Sequence, residues 1–269
     1  HDFVAGDYMW TGIDYLGEAN WPQRSAGCGC LDTCGFEKDA FYFYKSVWNQ
    51  NEKFAYLCPH WNLKLEKGTV LPVICYTNCE DAELFVNGRS FGMKSKGFPC
   101  YGMTERYGHF DRYRRPANTD DLFLSWDVPY EPGKIEVVGY HDGKEVCRYN
   151  VETTGEAAAI KLTVDKTSVD ADGRSVVQAE VRILDSEGHL VFDACPELNF
   201  TLEGDGEIIG IDNGDPACHE QWKETKGRHA FNGMAYAVIR AGQNKGELKL
   251  TVTSSDNTLT NASVTIQVG

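Results

Sequence analysis

The stretch Leu84-Phe85-Val86-Asn87-Gly88-Arg89-Ser90-Phe91 decides the fold class of the chain. Asn-Gly between two short runs of strand-forming residues is the strongest short-range indication of a β-hairpin, because both turn positions require positive φ. We therefore predict two antiparallel strands joined at Asn87-Gly88. His141-Asp142-Gly143-Lys144 predicts a second hairpin for the same reason, with Asp-Gly at its centre.

Short runs with a period of two continue on both sides of these hairpins, through residues 62–269. The other predicted strands are Val70–Tyr76, Leu122–Trp126, Lys134–Tyr140, Ile160–Val164, Val176–Leu184, Leu198–Leu202, Met234–Ile239, Leu248–Thr253 and Ala262–Val268. Short alternating strands separated by turn residues are typical of antiparallel β-sandwiches. Because the polar and small stretch Glu152–Ala159 interrupts the pattern, we predict two domains, at residues 62–155 and 156–269.

Residues 1–61 have a different pattern. Asp2–Tyr15 is predicted to be one buried strand that runs into a loop rich in turn-forming residues, and residues 37–50 predict an amphipathic helix. The apolar face of that helix is predicted to consist of Ala40, Phe41, Tyr44, Val47 and Trp48. One strand and one helix cannot bury both faces of the strand, so we interpret residues 1–61 as part of a larger α/β body.

The composition argues against two classes of partner. Forty acidic and 26 basic residues give a formal net charge of -14, and such a surface repels the phosphates of nucleic acids. No apolar run approaches the roughly 20 residues that a membrane helix needs, so we expect no membrane partner. The chain starts with neither a methionine nor an apolar signal segment, and we expect that it begins inside a longer protein.

The cysteines and acidic turns raise the question of a metal site. Ten scattered cysteines in a chain of this length do not require a disulfide scaffold, and they favour a reducing bacterial cytoplasm over an exported location. Cys28, Cys30 and Cys34 would need Cys58 or His60 to complete a zinc site, and they lack the usual paired spacing. Residues 212–215 offer oxygen ligands for calcium, but the same residue types favour tight turns. We therefore predict no metal and no cofactor.

The segment from Gly6 to Glu18, Gly-Asp-Tyr-Met-Trp-Thr-Gly-Ile-Asp-Tyr-Leu-Gly-Glu, closely resembles the eighth barrel strand of family 2 glycoside hydrolases of bacterial β-galactosidase type. The resemblance continues through Trp21-Pro22, Arg24-Ser25, Leu31-Asp32, Gly35-Phe36, Lys38-Asp39, Pro59-His60-Trp61, Ala82–Ser90, Val128–Gly133, Gly210–Pro216 and Ala230–Gly233. It implies a mainly β chain in which two immunoglobulin-like β-sandwich domains follow the last strand, loop and helix of a (β/α)8 TIM barrel. Residues 1–61 would be that barrel end.

The resemblance also implies an activity. Family 2 enzymes hydrolyse a terminal β-linked sugar with retention, using two glutamates about 5 Å apart. In the family these glutamates lie in an Asn-Glu pair on the fourth barrel strand and on the seventh strand, so a chain that begins at the eighth strand should contain no catalytic residue. Asn51-Glu52 follows the last helix and cannot occupy the fourth strand.

Four residues are predicted to bind substrate, because the C-terminal ends of barrel strands face the active site. Trp10 is the predicted platform for a sugar ring, with a place in the barrel core as the alternative. Asp14 and Glu18 are predicted to accept hydrogen bonds from sugar hydroxyls, and the alternative is a solvated loop or an ion pair with Arg24. Trp21 is predicted to line an outer subsite, unless it packs against its own barrel.

Three further tryptophans and an arginine-rich loop have less specific interpretations. A tryptophan in an alternating strand usually belongs to a core, and we expect this above all for Trp126, although Trp61, Trp126 and Trp222 are also candidate sugar platforms. Residues 94–121 lack periodicity and contain Arg112, Arg114 and Arg115. This loop could reach the active site or a partner subunit, but a solvated charge cluster is the simpler interpretation.

Three functions compete for the whole chain. In the first, a parent enzyme hydrolyses β-galactosides or related β-glycosides, and this chain supplies one wall of the substrate site together with accessory domains. In the second, the chain is a non-catalytic carbohydrate-binding or subunit-contact module, which needs an exposed aromatic row or a large apolar patch. A stack of adhesion domains is the third, and it leaves residues 1–61 unexplained. We expect residues 1–50 to lie against the first sandwich or to fit into another copy of the chain, which would make a homo-oligomer.

Overall fold

The computed structural model describes residues 3, 5–6, 8–95, 122–221, 223 and 226–269. The chain separates into two compact units. Residues 39–153 form one, called here the helix unit, and residues 1–38 together with 154–269 form the other, called the loop unit. No helix among the described residues is long and apolar enough to span a membrane.

The described residues contain one helix, α1, at Asp39–Trp48. The strands, in chain order, are β1 Tyr15–Leu16, β2 Ser25–Ala26, β3 Ala55–Cys58, β4 Val70–Thr77, β5 Asp81–Val86, β6 Arg89–Ser95, β7 Leu124–Pro129, β8 Lys134–His141, β9 Lys144–Glu152, β10 Ala159–Val164, β11 Ser168–Val169, β12 Val176–Leu184, β13 Glu197–Glu203, β14 Gly206–Asp212, β15 Gly227–His229, β16 Met234–Ala241, β17 Gly246–Ser254 and β18 Ala262–Val268.

Two antiparallel sheets form most of the helix unit. Their strand orders are β3-β4-β7 and β6-β5-β8-β9. The inward side chains of both sheets form one apolar core, which includes Trp61 and Trp126 at 1% and 3% exposure. These two tryptophans are therefore core residues, as the alternating pattern predicts for Trp126, and neither is a sugar platform.

Both predicted hairpins are confirmed. Val86 pairs with Arg89, and the turn residues Asn87 and Gly88 have φ values of 49° and 80°. Asn87 also fixes the turn through its side chain, because its Oδ1 accepts a hydrogen bond from the Lys134 amide at 2.8 Å. At the second hairpin, His141 pairs with Lys144 across Asp142-Gly143.

The predicted helix is confirmed, but a different face of it is buried. Tyr42 stacks on Tyr56 with ring centroids 3.7 Å apart, and Phe43 meets Tyr76 edge to face at 5.6 Å. Ser46, one turn further on, is buried. The prediction for Val47 and Trp48 is wrong, since these side chains are 48% and 66% exposed. Aromatic contacts with β3 and β4, rather than the count of apolar residues, set the rotation of the helix.

The loop unit also has two larger sheets, with strand orders β10-β12-β16-β14 and β11-β18-β17-β13-β15. Alternating side chains of both sheets form the second core of the chain. The strands predicted in residues 160–268 are confirmed within one or two residues at their ends. Sequence reasoning missed β14, because glycine and aspartate at both of its ends look like a continuous turn region.

The predicted long strand near the N-terminus is wrong for the described residues. Tyr15–Leu16 is the first strand, and before it Phe3, Tyr8 and Trp10 are 85%, 94% and 71% exposed. An apolar strand of a parallel sheet is buried when strands lie on both sides of it and helices cover its faces. The described part of the chain supplies no such neighbours to these residues.

The carboxyl group of Asp185 is expected to make the free energy of unfolding of the loop unit depend on pH. Its carboxylate accepts hydrogen bonds from the amides of Glu187, His189 and Gly155 at 2.9, 2.9 and 3.0 Å. Burial tends to raise the pKa of this carboxyl, but the hydrogen bonds outweigh burial and hold the pKa below its ordinary value of 3.8. The stabilisation is therefore complete above the unfolded-state pKa and is lost as the pH falls through the lower folded-state pKa.

We expect the free energy of unfolding of the wild type to fall more steeply than that of Asp185→Asn between about pH 4 and pH 2, because the variant has no carboxylate to protonate. Urea unfolding at a series of pH values measures this difference. Asp170→Asn, at an exposed aspartate, is the control and should follow the wild type. Parallel curves for wild type and Asp185→Asn would contradict the assignment.

Candidate functional site

Residues 11–38 of the loop unit fold on themselves and are called the docked loop here. Tyr15 pairs with Ala26 and Leu16 with Ser25, which forms the small sheet β1-β2. The amide of Asp14 donates to the carbonyl of Leu31 at 2.9 Å and extends this pairing. The loop is therefore an ordered structure with its own hydrogen bonds.

Asp14 lies inside the docked loop with 6% of its surface exposed. Lys38 Nζ lies 3.0 Å from both carboxylate oxygens, and the amide of Gly29 donates to Oδ1 at 2.6 Å. The ion pair considered with Arg24 is not present, because Lys38 occupies that role. Loss of either partner would leave a buried charge or donor uncompensated, so these contacts fix the path of the loop around Asp14.

Asp32 caps the next turn of the loop. Its Oδ1 accepts hydrogen bonds from the amides of Cys34 and Phe36 at 2.8 and 2.9 Å. Burial raises the pKa of the Asp32 carboxyl, and the nearby carboxylates of Asp14 and Asp212 add to this effect, while the two amides oppose it. Asp32 thus gains two local hydrogen bonds at the cost of desolvation.

The docked loop is held by the second sandwich, within the same unit. Arg24 Nη2 forms an ion pair with Asp212 Oδ1 at 2.7 Å, at the end of β14, and its amide donates to the carbonyl of Pro216 at 2.8 Å. Phe36 meets Tyr236 of β16 edge to face at 6.0 Å. Within its own unit, the loop thus has polar and aromatic partners among residues 212–236.

Trp10, Tyr15 and Glu18 come together at one end of the loop. Trp10 Nε1 donates to the Tyr15 hydroxyl at 3.0 Å, and that hydroxyl donates to Glu18 Oε2. The hydrogen bond to Glu18 is the main cause that raises the pKa of Tyr15. Trp10 remains 71% exposed, so its indole is held at Nε1 while most of the side chain is accessible to solvent.

Trp21 is the most exposed tryptophan of the described residues, at 83%. Its ring stacks on His219 with centroids 4.8 Å apart and an interplanar angle of 26°. His219 Nε2 lies 2.8 Å from the carbonyl oxygen of Pro22, which it can reach as a donor. Sequence reasoning did not identify His219, because no pattern around it indicates a contact with a loop almost 200 residues earlier.

Two open pockets lie beside these groups. One, with a volume of 370 Å³, is lined by Arg24, His219, Glu220, Gln221 and Lys223. The other, with a volume of 490 Å³, has Tyr15, Leu16 and Arg24 on its loop side and residues 209–212 and Tyr236 on its sandwich side. The lining side chains of the first pocket are polar or charged, whereas those of the second include apolar and aromatic groups beside Arg24 and Asp212.

The oxygen atoms of residues 212–215 support a turn rather than a calcium site. Asp212 binds Arg24, Asn213 Oδ1 accepts from the amide of Asp215, and Asp215 Oδ1 accepts from the amide of Ala217. In the described part of the chain, one group of three side chains has the spacing of metal ligands: Glu80, His141 and Asp142 at the turns of the helix unit. The cysteines at 28, 30 and 34 do not form such a group.

Trp222 and the arginines at 112, 114 and 115 lie outside the described residues.

Comparison with known proteins places these features in a family. Residues 160–265 match the family model "glycoside hydrolase family 2 C-terminal domain 5", and residues 68–147 match a domain of unknown function, DUF4982. The chain is 38% identical over 258 residues to β-galactosidase BoGH2A of Bacteroides ovatus, covering 94% of this chain and 27% of that protein. It is 30% identical over 243 residues to a putative β-glucuronidase of Formosa agariphila, covering 88% and 22%.

A solved structure supports the same family assignment as the sequence matches. A glycosyl hydrolase family 2 member from Bacteroides cellulosilyticus superposes with a TM-score of 0.86 at 27% identity, over 100% of this chain and 36% of that one. The chain thus spans about a quarter to a third of the length of the proteins that it matches. On these matches the chain belongs to glycoside hydrolase family 2, and residues 160–265 correspond to a C-terminal domain of that family.

Proposed function

We propose that the chain is part of a retaining glycoside hydrolase that cleaves terminal β-galactosides or related β-glycosides. The 38% identity to a β-galactosidase over 258 residues carries this proposal. Because another relative is a putative β-glucuronidase, the sugar is proposed at the level of a β-glycoside. The proposed division is a barrel end at residues 1–61 and immunoglobulin-like sandwiches at residues 62–155 and 156–269. In this division β3 and Trp61, at the end of the first segment, complete the sheet and the core of the first sandwich.

In this proposal the docked loop and Trp10, which directly precedes it, form one wall of the substrate site. Trp10 and Trp21 present exposed indoles, and an indole that packs on the apolar face of a pyranose contributes about 1 to 2 kcal/mol. Glu18 can accept hydrogen bonds from sugar hydroxyls while it holds Tyr15. Asp14 supports the wall from inside, because its carboxylate already binds Lys38 and the Gly29 amide.

The second sandwich has a structural part in this proposal. Arg24 and Trp21 contact Asp212 and His219, so the sandwich orients the loop that carries the sugar-binding groups. A positioned aromatic side chain binds with less loss of conformational freedom than a mobile one. The accessory domain would thus act on substrate affinity through the loop, without touching the reacting bond.

The second candidate function, a carbohydrate-binding module without catalysis, is favoured by one observation. Trp21 and its partner His219 both belong to the loop unit, so the chain contains a complete exposed platform beside a pocket of 370 Å³. Both candidate functions predict that this chain binds a sugar at the same wall. It would not depend on a catalytic pair.

We expect methyl β-galactoside to bind this chain weakly and Trp21→Ala to reduce its affinity about tenfold, as the loss of one stacking surface predicts. Saturation-transfer NMR with a titration of the sugar measures this. Trp48→Ala is the matched control, because Trp48 is also exposed, at 66%, but lies on α1 in the helix unit. An equal loss in both variants, or no loss in Trp21→Ala, would contradict the platform.

A further inference from the structure

Two cysteines of the helix unit lie unusually close together. The Sγ atoms of Cys79 and Cys147 are 3.5 Å apart, although the residues are separated by 68 positions in the chain. Cys79 follows β4 and is 2% exposed, whereas Cys147 lies in β9 and is half-buried. Neither sulfur forms a disulfide bond in this structure.

A glycine on the neighbouring strand makes this approach possible. Gly139 of β8 pairs with Cys147 of β9. A Cβ atom at Gly139 would lie 2.6 Å from the Cys147 sulfur and 2.7 Å from the Cys79 sulfur. Carbon and sulfur atoms that are not bonded to each other do not approach so closely. The two sulfur atoms therefore share the space that a side chain at residue 139 would fill.

We propose that Cys79 and Cys147 are a covalent modification site, at which a low-molecular-weight disulfide such as oxidised glutathione closes an intramolecular Cys79–Cys147 disulfide. Side-chain rotations have to bring the sulfurs from 3.5 Å to the bonding distance of about 2.05 Å. The site lies in the helix unit, so the proposal is independent of the sugar wall.

The reaction balances in two exchange steps. The Cys147 thiol loses its proton, and its sulfur attacks one sulfur of oxidised glutathione, which releases one glutathione thiol and leaves a mixed disulfide. The Cys79 thiol then loses its proton, and its sulfur attacks the Cys147 sulfur and releases the second glutathione. The two cysteines are oxidised by two electrons, and the glutathione disulfide is reduced to two thiols.

The environment sets the pH dependence of this reaction. The hydrogen bond with Cys79 and burial both raise the pKa of the Cys147 thiol. Because the thiolate is the attacking species, we expect formation of the disulfide to be slow at neutral pH and to become faster as the pH rises.

The disulfide would join the turn after β4 to β9, the edge strand of its sheet. Cross-linking residues so far apart in the chain restricts the unfolded state strongly. We expect the midpoint of thermal unfolding of the helix unit to rise by roughly 10 °C on oxidation.

Peptide mapping after oxidation tests the proposal directly. The reduced full chain is incubated with oxidised glutathione at about pH 8.5, near the ordinary pKa of a thiol. Remaining thiols are then alkylated in acid, and the chain is digested with trypsin. The expected product joins residues 68–89, which carry one alkyl label on Cys75, to residues 145–148. Its mass is 2 Da below the sum of the reduced peptide 145–148 and the peptide 68–89 with that single label. Fragmentation between Cys75 and Cys79 identifies the linked sulfur.

Three variants and one internal control decide the outcome. The product should persist in Cys75→Ser and disappear in Cys79→Ser and Cys147→Ser. Cys195 is exposed and should form a mixed disulfide with glutathione, which shows that the oxidant is active. Glutathionylation of Cys195 without a Cys79–Cys147 link, or a link from Cys147 to Cys75, would overturn the proposal.

Discussion

Gly214→Ala is expected to lower the free energy of unfolding of the loop unit by about 3 kcal/mol and to release the docked loop. Gly214 has φ +76°, and a Cβ atom there would lie 1.9 Å from Asp32 Oδ2. Asp32 cannot withdraw without loss, because its Oδ1 accepts hydrogen bonds from the amides of Cys34 and Phe36. The substitution therefore adds backbone strain and also breaks the turn that Asp32 caps.

Gly188→Ala separates these two causes. Gly188 has φ +90° in the same unit, but a Cβ atom there would meet nothing within 4 Å. Gly188→Ala should therefore show the cost of the left-handed backbone alone, roughly 1 to 2 kcal/mol. Urea unfolding compares the stabilities, and hydrogen exchange of peptides from residues 11–38 reports release of the loop. Equal behaviour of the two variants would show that the contact between Gly214 and Asp32 has no role.

Lys38→Met is expected to cost about 2 kcal/mol, because it leaves the buried carboxylate of Asp14 without its counter-charge. Lys38 is partly exposed, which keeps this cost below that of a fully buried pair. Asp14→Asn in the same chain should recover part of the loss, since an amide needs no counter-charge and can still accept the hydrogen bond of Gly29. Urea unfolding of the two single variants and the double variant gives the coupling energy.

Lys245→Met is the control for this cycle, because Lys245 is an exposed lysine of the same unit. It should change the free energy of unfolding by less than about 0.5 kcal/mol. A double variant whose stability equals the sum of the single losses would mean that Lys38 and Asp14 do not act as a pair.

The residue pattern predicts the β elements well, because turn chemistry and alternation are local. Asn87-Gly88 and Asp142-Gly143 specify their hairpins, since few other residues adopt the positive φ that such turns require. Val176–Leu184 alternates so regularly that its ends agree with β12. The burial of Trp126 follows from the same alternation.

The tertiary partners of residues 1–50 were not predictable in this way. The rotation of α1 depends on Tyr56 and Tyr76, which belong to strands that come later in the chain. The docked loop binds Asp212 and His219, almost 200 residues away, and no local pattern encodes such contacts. Lys38 rather than Arg24 pairs with Asp14, a choice that only the three-dimensional path of the loop decides.

The sequence indicates which residues of the candidate site could bind a sugar, but not how these residues are arranged in space. The sequence singles out Trp10 at the end of the predicted barrel strand and Trp21 in the loop that follows. The described residues do not form that strand, and both rings are exposed. Their supports, Tyr15 and His219, emerge only from the folded chain, where they meet the indoles through a hydrogen bond and a stacking contact.

Hydrolysis of a chromogenic β-galactoside by the purified chain is the decisive measurement for the proposed function. We propose that these 269 residues provide a substrate-site wall and accessory domains of a family 2 glycoside hydrolase but no catalytic pair. We expect no turnover by a sample whose intact mass confirms 269 residues. Turnover that follows the intact chain through every purification step would contradict it, because two carboxylates within this chain would then have to perform the reaction.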